Sequence, residues 1–239
     1  MLEYHNRPIR DNFVFLPAEL RDSIGMTSLL IATRNQHKVG EIRAILGGNF
    51  RYLTLNDFPA APAVVENADT FAGNAAKKAV ELARWLAGTR NELVLVLADD
   101  SGLEVNALNG APGVHSARFA ALETGKSGNS SDGENNLKLL RLLERVPLDK
   151  RSARFRCVLA LAAASNEPER RTELFEGTCE GSIGFAPRGH NGFGYDPLFV
   201  PRGHQQTFAE LGEVMKNRLS HRAKALSRLK VRLDSLANG

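Results

Sequence analysis

The stretch Leu29-Leu30-Ile31-Ala32-Thr33-Arg34-Asn35-Gln36-His37-Lys38 decides how the rest of the chain is read. Leu29 to Thr33 is a short apolar run of strand character. From Lys38 to Leu46 the apolar residues fall at Val39, Ile42, Ile45 and Leu46, one face of a helix, and Gly47-Gly48 ends it. A buried strand therefore runs straight into a helix N-terminus, where free backbone N–H groups and a partial positive charge bind phosphate readily. Thr33 and Asn35 add short donors and Lys38 adds a full charge one turn in. The Walker A pattern is absent, and a capped helix with an exposed lysine accounts for these residues taken alone.

Outward from this unit the pattern repeats. Phe50 to Leu55 predicts a second strand. Asp69-Thr70 caps a helix running to about Ala87, with Gly88 as its stop. Leu93 to Ala98 is continuously apolar, as in a strand covered on both faces. This alternation is that of an α/β protein. The second half predicts long strands over Arg154 to Ala164 and Thr172 to Ile183, a bent pair by its glycines and Phe175. Leu219, Leu226, Leu229, Leu233 and Leu236 mark a closing amphipathic helix, and Thr124 to Gly133 reads as an exposed loop. The expected architecture is an elongated mixed α/β fold with two lobes and a central cleft. Residues 1–27 read as an N-terminal extension and 28–239 as one domain.

Three further clusters carry chemistry. Asp99-Asp100-Ser101-Gly102 follows the most apolar strand, and ligands of α/β sheets gather at strand carboxyl ends. Two adjacent carboxylates there repel unless a cation intervenes, and hard oxygen ligands suit Mg²⁺. A turn is the plain alternative, since Asp, Ser and Gly favour turns. Gly189 to Pro197 frees the backbone to approach a ligand, Phe193 and Tyr195 offer faces for stacking a base, and Asp196 accepts from a ring N–H. A hairpin loop is the alternative. Lys216 with Ser220-His221-Arg222 offers positive groups to phosphate or purine oxygens.

The 239 residues carry a formal net charge of +4. Between Arg202 and Arg232 there are eight Lys or Arg against two Glu, which suits a polyanionic partner or a solvated helix face. No apolar run approaches the roughly 20 residues that span a bilayer, and no secretory signal pattern opens the chain, so a soluble cytoplasmic protein is expected. Cys157 and Cys179 lack disulfide or zinc spacing and are expected as buried, reduced thiols.

In this order, the pieces resemble the ITPase (Ham1-like) pyrophosphatases. The matching segments are Ala32-Thr33-Arg34-Asn35 with Lys38, Glu66, Thr70-Phe71 with Asn74-Ala75 and Lys78-Ala79, and Ala98 to Leu103. Then come Gly110 to Val114, Ser116 to Phe119, Ala153 to Phe155 with Cys157, Gly192 to Pro197, and Ser220-His221-Arg222. The resemblance covers roughly Leu29 to Leu236. It implies Mg²⁺-dependent hydrolysis of non-canonical purine nucleoside triphosphates (ITP, dITP, XTP) to monophosphate and pyrophosphate, by a homodimer. Carried onto this chain, Thr33, Arg34, Asn35, Gln36, His37 and Lys38 hold the phosphates, with Lys78 a further cation. Glu66 and Asp100 bind the metal with Asp99 close by, and Asp100 is the proton acceptor. Ser101, Phe193, Gly194, Tyr195, Asp196, Lys216, His221 and Arg222 complete the nucleotide pocket. A Maf-like pyrophosphatase for other nucleotides and a non-catalytic nucleotide- or nucleic-acid-binding protein are the alternatives, no stable nucleic-acid complex being expected. Two residues depart from the family pattern: Gly73, where Glu is common, and Arg34, where a small residue is common.

Overall fold

A computed structural model describes residues 27–48, 50–89, 94–125, 128–166 and 168–238. Nearly all of the expected extension, Leu93 and part of the expected 124–133 loop lie outside the described residues. The first strand starts at Thr27, one residue inside that expected extension.

The chain runs β1 (Thr27–Ile31), α1 (Gln36–Leu46), β2 (Phe50–Thr54), α2 (Phe71–Ala87), β3 (Val94–Val105), α3 (Ala121–Thr124) and α4 (Asp132–Leu142). It continues through β4 (Ser152–Ala163), β5 (Glu173–Ile183), β6 (Phe199–Pro201), α5 (Phe208–Leu219) and α6 (His221–Asn238). The strands form one mixed sheet in the order β2-β1-β3-β4-β5-β6. β1 lies parallel to β2 and to the first residues of β3. From β3 onward every pairing is antiparallel.

Side-chain alternation along the strands sorts the core. Leu30, Val94, Val96, Ala98, Val158 and Ala160 pack beneath α2, whereas Leu29, Ile31, Leu95, Leu97, Leu159 and Leu161 pack beneath α1 and α6. A third cluster gathers Leu103, Leu139, Phe155, Tyr195, Phe199 and Phe208 at the far end of the long strands, which makes the second lobe.

Two expectations are corrected. Asp99 to Gly102 do not form a turn after a strand; β3 continues through them to Val105, paired residue by residue with β4 from Leu95↔Ala163 to Val105↔Ala153. β1 ends at Ile31, however, so beyond Leu97 this edge of β3 has no strand beside it, and the site opens there. The closing segment is two helices, because Ser220 is extended at ψ 161° and breaks the register between α5 and α6. α4 was also unexpected: Ser131 and Glu134 form a capping box that starts it at Asp132, inside the expected loop, whose first residue, Thr124, ends α3.

β5 would be an open sheet edge over most of its length, since β6 covers only Gly181 to Ile183. The basic side chains of α6 close it. Lys224 Nζ donates to Thr178 O at 2.7 Å and Arg228 Nη1 to Glu176 O at 2.7 Å, while Arg202 N takes Glu180 O at 2.8 Å. An unpaired edge invites strand addition by another chain, and here the Glu176, Thr178 and Glu180 carbonyls are occupied. Gly177 permits the approach: a Cβ there would lie 2.1 Å from His221 O. Among the described residues no helix is long and apolar enough to cross a membrane.

Candidate active site

The site follows from the strand geometry of Asp99 and Asp100. Neighbours on a strand face opposite sides of a sheet, so the two acids do not repel across a shared space. Asp99, 1% exposed, faces α1 and α6. Arg222 Nε donates to its Oδ2 at 2.8 Å, Lys38 pairs with its Oδ1, Ser101 Oγ donates to Oδ1 at 2.9 Å and Cys157 Sγ approaches Oδ2 at 3.3 Å. Burial pushes its carboxyl up, but Arg222 and Lys38 outweigh burial and hold it well below the usual range. With both oxygens engaged by Arg222 and Lys38, Asp99 is less free than Asp100 to take a metal ion.

The rest of this inner wall is a charge network. Glu41 accepts from Lys216 Nζ at 2.8 Å and pairs with Arg222 Nη1, and Lys216 also reaches Asp196 Oδ2 at 2.6 Å. Three cations, Lys38, Lys216 and Arg222, thus meet three acids, Asp99, Glu41 and Asp196. Glu41 is lowered because the two cations outweigh its burial. Asp196 is raised, since burial exceeds the pull of Lys216. His221, 4% exposed and stacked on Phe155 at 4.8 Å, is held well below its ordinary value by burial and by the charges of Arg222 and Lys216. It is neutral at pH 7, and its Nδ1 has no partner. Sequence reasoning missed Glu41, although its position three residues after Lys38, on the same helix face, was a signal.

Asp100 faces α2 and is 7% exposed. Its Oδ2 is buried without a partner. Burial raises its carboxyl to about 6, with Lys38, Asn74 and Lys78 pulling down and Glu66 pushing up. Glu66 stands nearby and pairs with Lys78 Nζ at 2.7 Å. Asn74, part of the matching motif but given no role there, is buried, and its Oδ1 accepts from Ala68 N at 2.8 Å.

Two chambers meet along this strand. The outer one, of about 630 Å³, is lined by Thr33, Arg34, Lys38, Glu66, Lys78, Asp100 and Arg118, among others. The inner one, of about 180 Å³, is lined by Phe155, Phe193, Tyr195, Asp196, Lys216, His221, Arg222 and their neighbours. Asn35, Lys38 and Ser101 border both. The outer chamber is cationic at its rim and carries two acids, and the inner one is small and aromatic.

The predicted residues are mostly assembled, with changes of role. Gln36 is exposed and lines neither chamber. His37 lines neither, and stacks on Phe193 with centroids 5.1 Å apart. Asn35 spends its Oδ1 capping α1, accepting from His37 N at 2.9 Å and Lys38 N at 3.2 Å. Those two helix amides are therefore not free for an anion, so side chains carry the phosphate-binding potential. Tyr195 is no open stacking face: it is 4% exposed and its hydroxyl donates to Ser116 O at 2.9 Å. Phe193 is partly open, with Lys216 Nζ 4.2 Å from its ring centre. Asp196 accepts from Lys216 and from Phe193 N, which leaves it less free to accept from a base.

Among the described residues no group of three or more His, Cys, Asp or Glu side chains could hold a metal ion by itself. Mg²⁺ asks for less, usually one or two carboxylates with the rest from substrate and water. Glu66 and Asp100, with an orphaned oxygen on Asp100, fit that demand.

The Ham1 family model matches residues 29–232. A dITP/XTP pyrophosphatase of Shouchella clausii is 46% identical over 212 residues, covering 88% of this chain and 98% of the relative. That of Desulforamulus reducens is 48% identical over 201 residues, covering 84% and 92%. Among solved structures, a Ham1 protein of Coxiella burnetii superposes with a TM-score of 0.75 at 37% identity, covering 88% of this chain and 100% of the other. The Staphylococcus aureus Ham1 protein gives 0.72 at 35%, covering 87% and 99%. A match over most of this chain and nearly all of its relatives, with the same fold, means that this chain belongs to the Ham1 family.

Proposed function

We propose that the protein is a dITP/XTP pyrophosphatase, hydrolysing non-canonical purine nucleoside triphosphates to the monophosphate and pyrophosphate and so keeping them out of DNA and RNA. One observation carries the reading at the site: a cationic chamber with a poised carboxylate adjoins a small aromatic chamber, and Lys38 and Ser101 form the shared wall. The base enters the inner chamber and the phosphates lie in the outer one.

Asp100 accepts the proton of the attacking water as the water oxygen bonds to phosphorus and the anhydride oxygen leaves with pyrophosphate. Without metal the carboxyl sits at about 6, so it is ionised at neutral pH and available as a base. Glu66 and Asp100 would hold Mg²⁺, which when bound would supply positive charge against the phosphates. Lys38, Lys78 and Arg34 orient the triphosphate. Selectivity rests on the inner chamber, where His221 and the N–H groups that Lys216 and Arg222 have left over from their ion pairs meet a 6-oxo purine; a 6-amino group would leave donors unpaired, which rejects strongly. The family resemblance supports a homodimer, which a mass measurement in solution tests, and a housekeeping role on the nucleotide pool supports a cytoplasmic location.

Nucleic-acid binding gains little from the basic C-terminal third. Lys216, Arg222, Lys224, Arg228 and Arg232 all point to acids or carbonyls of the protein itself. The test of function is pyrophosphate release from dITP, XTP, dGTP and dATP with and without Mg²⁺. Metal-dependent release favouring dITP and XTP is expected; no release from any purine by folded protein refutes the proposal.

A further inference from the structure

We infer that Asp132 and Asn136 of α4 are positioning residues that fix the Phe193 ring in the inner chamber, and so set how tightly the nucleotide is held. The inference rests on the reading of that chamber as the base site.

Phe193 sits in a loop of turns with Gly189, Gly192 and Gly194 all at positive φ, a backbone with little conformational restraint of its own. Its hold comes from outside. Upstream, Asn191 bonds Ala209 O through its side chain at 3.0 Å and its backbone at 3.3 Å. At Phe193 the amide donates to Asp196 Oδ2 at 2.8 Å. Immediately after, α4 takes both polar groups of Gly194: its N–H donates to Asp132 Oδ2 at 2.6 Å, and its carbonyl accepts from Asn136 Nδ2 at 3.0 Å. Residues four apart share one helix face, so a single turn of α4 grips one peptide unit on each side of Gly194. The ring is thus clamped by Asp196 before it and α4 after it.

α4 is a rigid support. The Ser131–Glu134 capping box closes its start, Asn135 Oδ1 accepts from Ala120 N at 2.8 Å, Lys138 Nζ donates to Phe119 O at 2.6 Å, and Leu139 and Leu143 are fully buried. Asn136 is 8% exposed and its Oδ1 has no partner. A half-satisfied buried amide costs stability, and what the residue does here is hold Gly194. Asp132 is exposed, so its substitution leaves the core alone, yet it also lines the inner chamber.

The experiment measures kcat and KM for dITP in the full-length protein and in Phe193→Ala, Asp132→Ala, Asp132→Asn and the double variant Phe193→Ala/Asp132→Ala, with thermal melting to confirm folding. Phe193→Ala and Asp132→Ala should each raise KM about tenfold, the effect of losing one charge-assisted hydrogen bond or its beneficiary, with the loss falling on KM rather than kcat. Asp132→Asn, which keeps an acceptor, should restore KM to near the wild-type value. The double variant should be no worse than Phe193→Ala alone, because coupled residues do not add. If Asp132→Ala leaves KM unchanged, or adds fully to Phe193→Ala, Asp132 does not act through the ring and the inference falls. If Phe193→Ala itself leaves KM unchanged, the base-site reading fails and takes the inference with it. Should Asp132→Ala not fold, Asp132→Glu, which keeps the charge and displaces the acceptor, carries the same comparison.

Discussion

Replacing Asp100 by Asn should abolish turnover and stabilise the protein, and the stabilisation should depend on pH. Asn copies the size and neutrality of the protonated carboxyl. The carboxyl is raised from the ordinary 3.8 to about 6, with burial the largest cause. The folded state therefore holds this proton more tightly than the unfolded chain does. Stability is greatest with the proton on, falls as pH rises from about 4 to about 6, and stays low above that. At about 1.4 kcal/mol per tenfold change in affinity, the ionised form costs about 3 kcal/mol at pH 8. Asp100 is only 7% exposed, so little of this is lost to solvent screening.

Urea denaturation of both proteins in buffer with chelator, from pH 4.5 to pH 8, measures the effect without metal. Asp100→Asn should be more stable than wild type by up to about 3 kcal/mol at pH 8, and the gap should hold down to about pH 6 and shrink below it toward pH 4.5. A gap that is constant with pH, or a less stable variant at pH 8, would refute the claim that a strained, ionised Asp100 is what the fold maintains. Pyrophosphate release in the same preparations gives the other half: an Asp100→Asn variant with full activity removes Asp100 as the proton acceptor.

Gly73→Ala should fail to stabilise α2 despite Ala's better helix propensity of up to about 1 kcal/mol, because its Cβ would lie 2.8 Å from Ala68 Cβ; a clear rise in urea midpoint would contradict this. Gly192→Ala should raise KM sharply or unfold the loop, since φ is +79° and the new Cβ would meet Asp196 Oδ2 at 2.1 Å; wild-type kinetics would show the loop to be more yielding than described. Cys157 and Cys179 should resist thiol reagents in the native protein, both being buried and pushed up by that burial, Cys179 to about 11. Rapid native labelling of either would refute their burial; labelling only in denaturant is expected. Glu41→Gln should lose about 3–5 kcal/mol by leaving Lys216 and Arg222 short of a partner, a loss read from urea unfolding; less than about 1 kcal/mol would mean that the network rearranges.

Much of this architecture is legible in local pattern. The strand, helix and strand run from Leu29, the α2 cap at Thr70 and the long apolar strands need only periodicity and turn chemistry to be found. α5 escaped because Gly212, at φ +76°, interrupts it, although the Thr207–Glu210 capping box was present. α4 escaped because its polar first turn reads as loop until Ser131 and Glu134 are seen as a pair. The site was legible as a set of residue types and not as an arrangement. No local rule says that β3 runs on through Asp99 to Gly102, and the strand's continuation is what separates the two acids. Asn35 and Tyr195 were assigned chemistry that the fold spends on a helix cap and on the core.

The separation of Asp99 from Asp100 explains why one short motif can serve two tasks. A strand must place its neighbours on opposite faces, so a pair of acids at its centre gives one carboxylate to each side. On the α1 and α6 side, Asp99 meets Arg222 and Lys38 and becomes part of a wall in which three cations and three acids balance. That balance matters for a base chamber: with its cations already paired, the inner pocket has little net charge with which to draw in a phosphate tail. On the α2 side, Asp100 has an oxygen without a partner and a neighbouring acid in Glu66. It stays reactive because that oxygen has no partner in the protein. Lys38 works on both sides, bonded to Asp99 while lining the outer chamber. A nucleotide entering this cleft is therefore oriented by charge before any specific contact forms, base toward the neutral wall and phosphates toward the side where charge is left over.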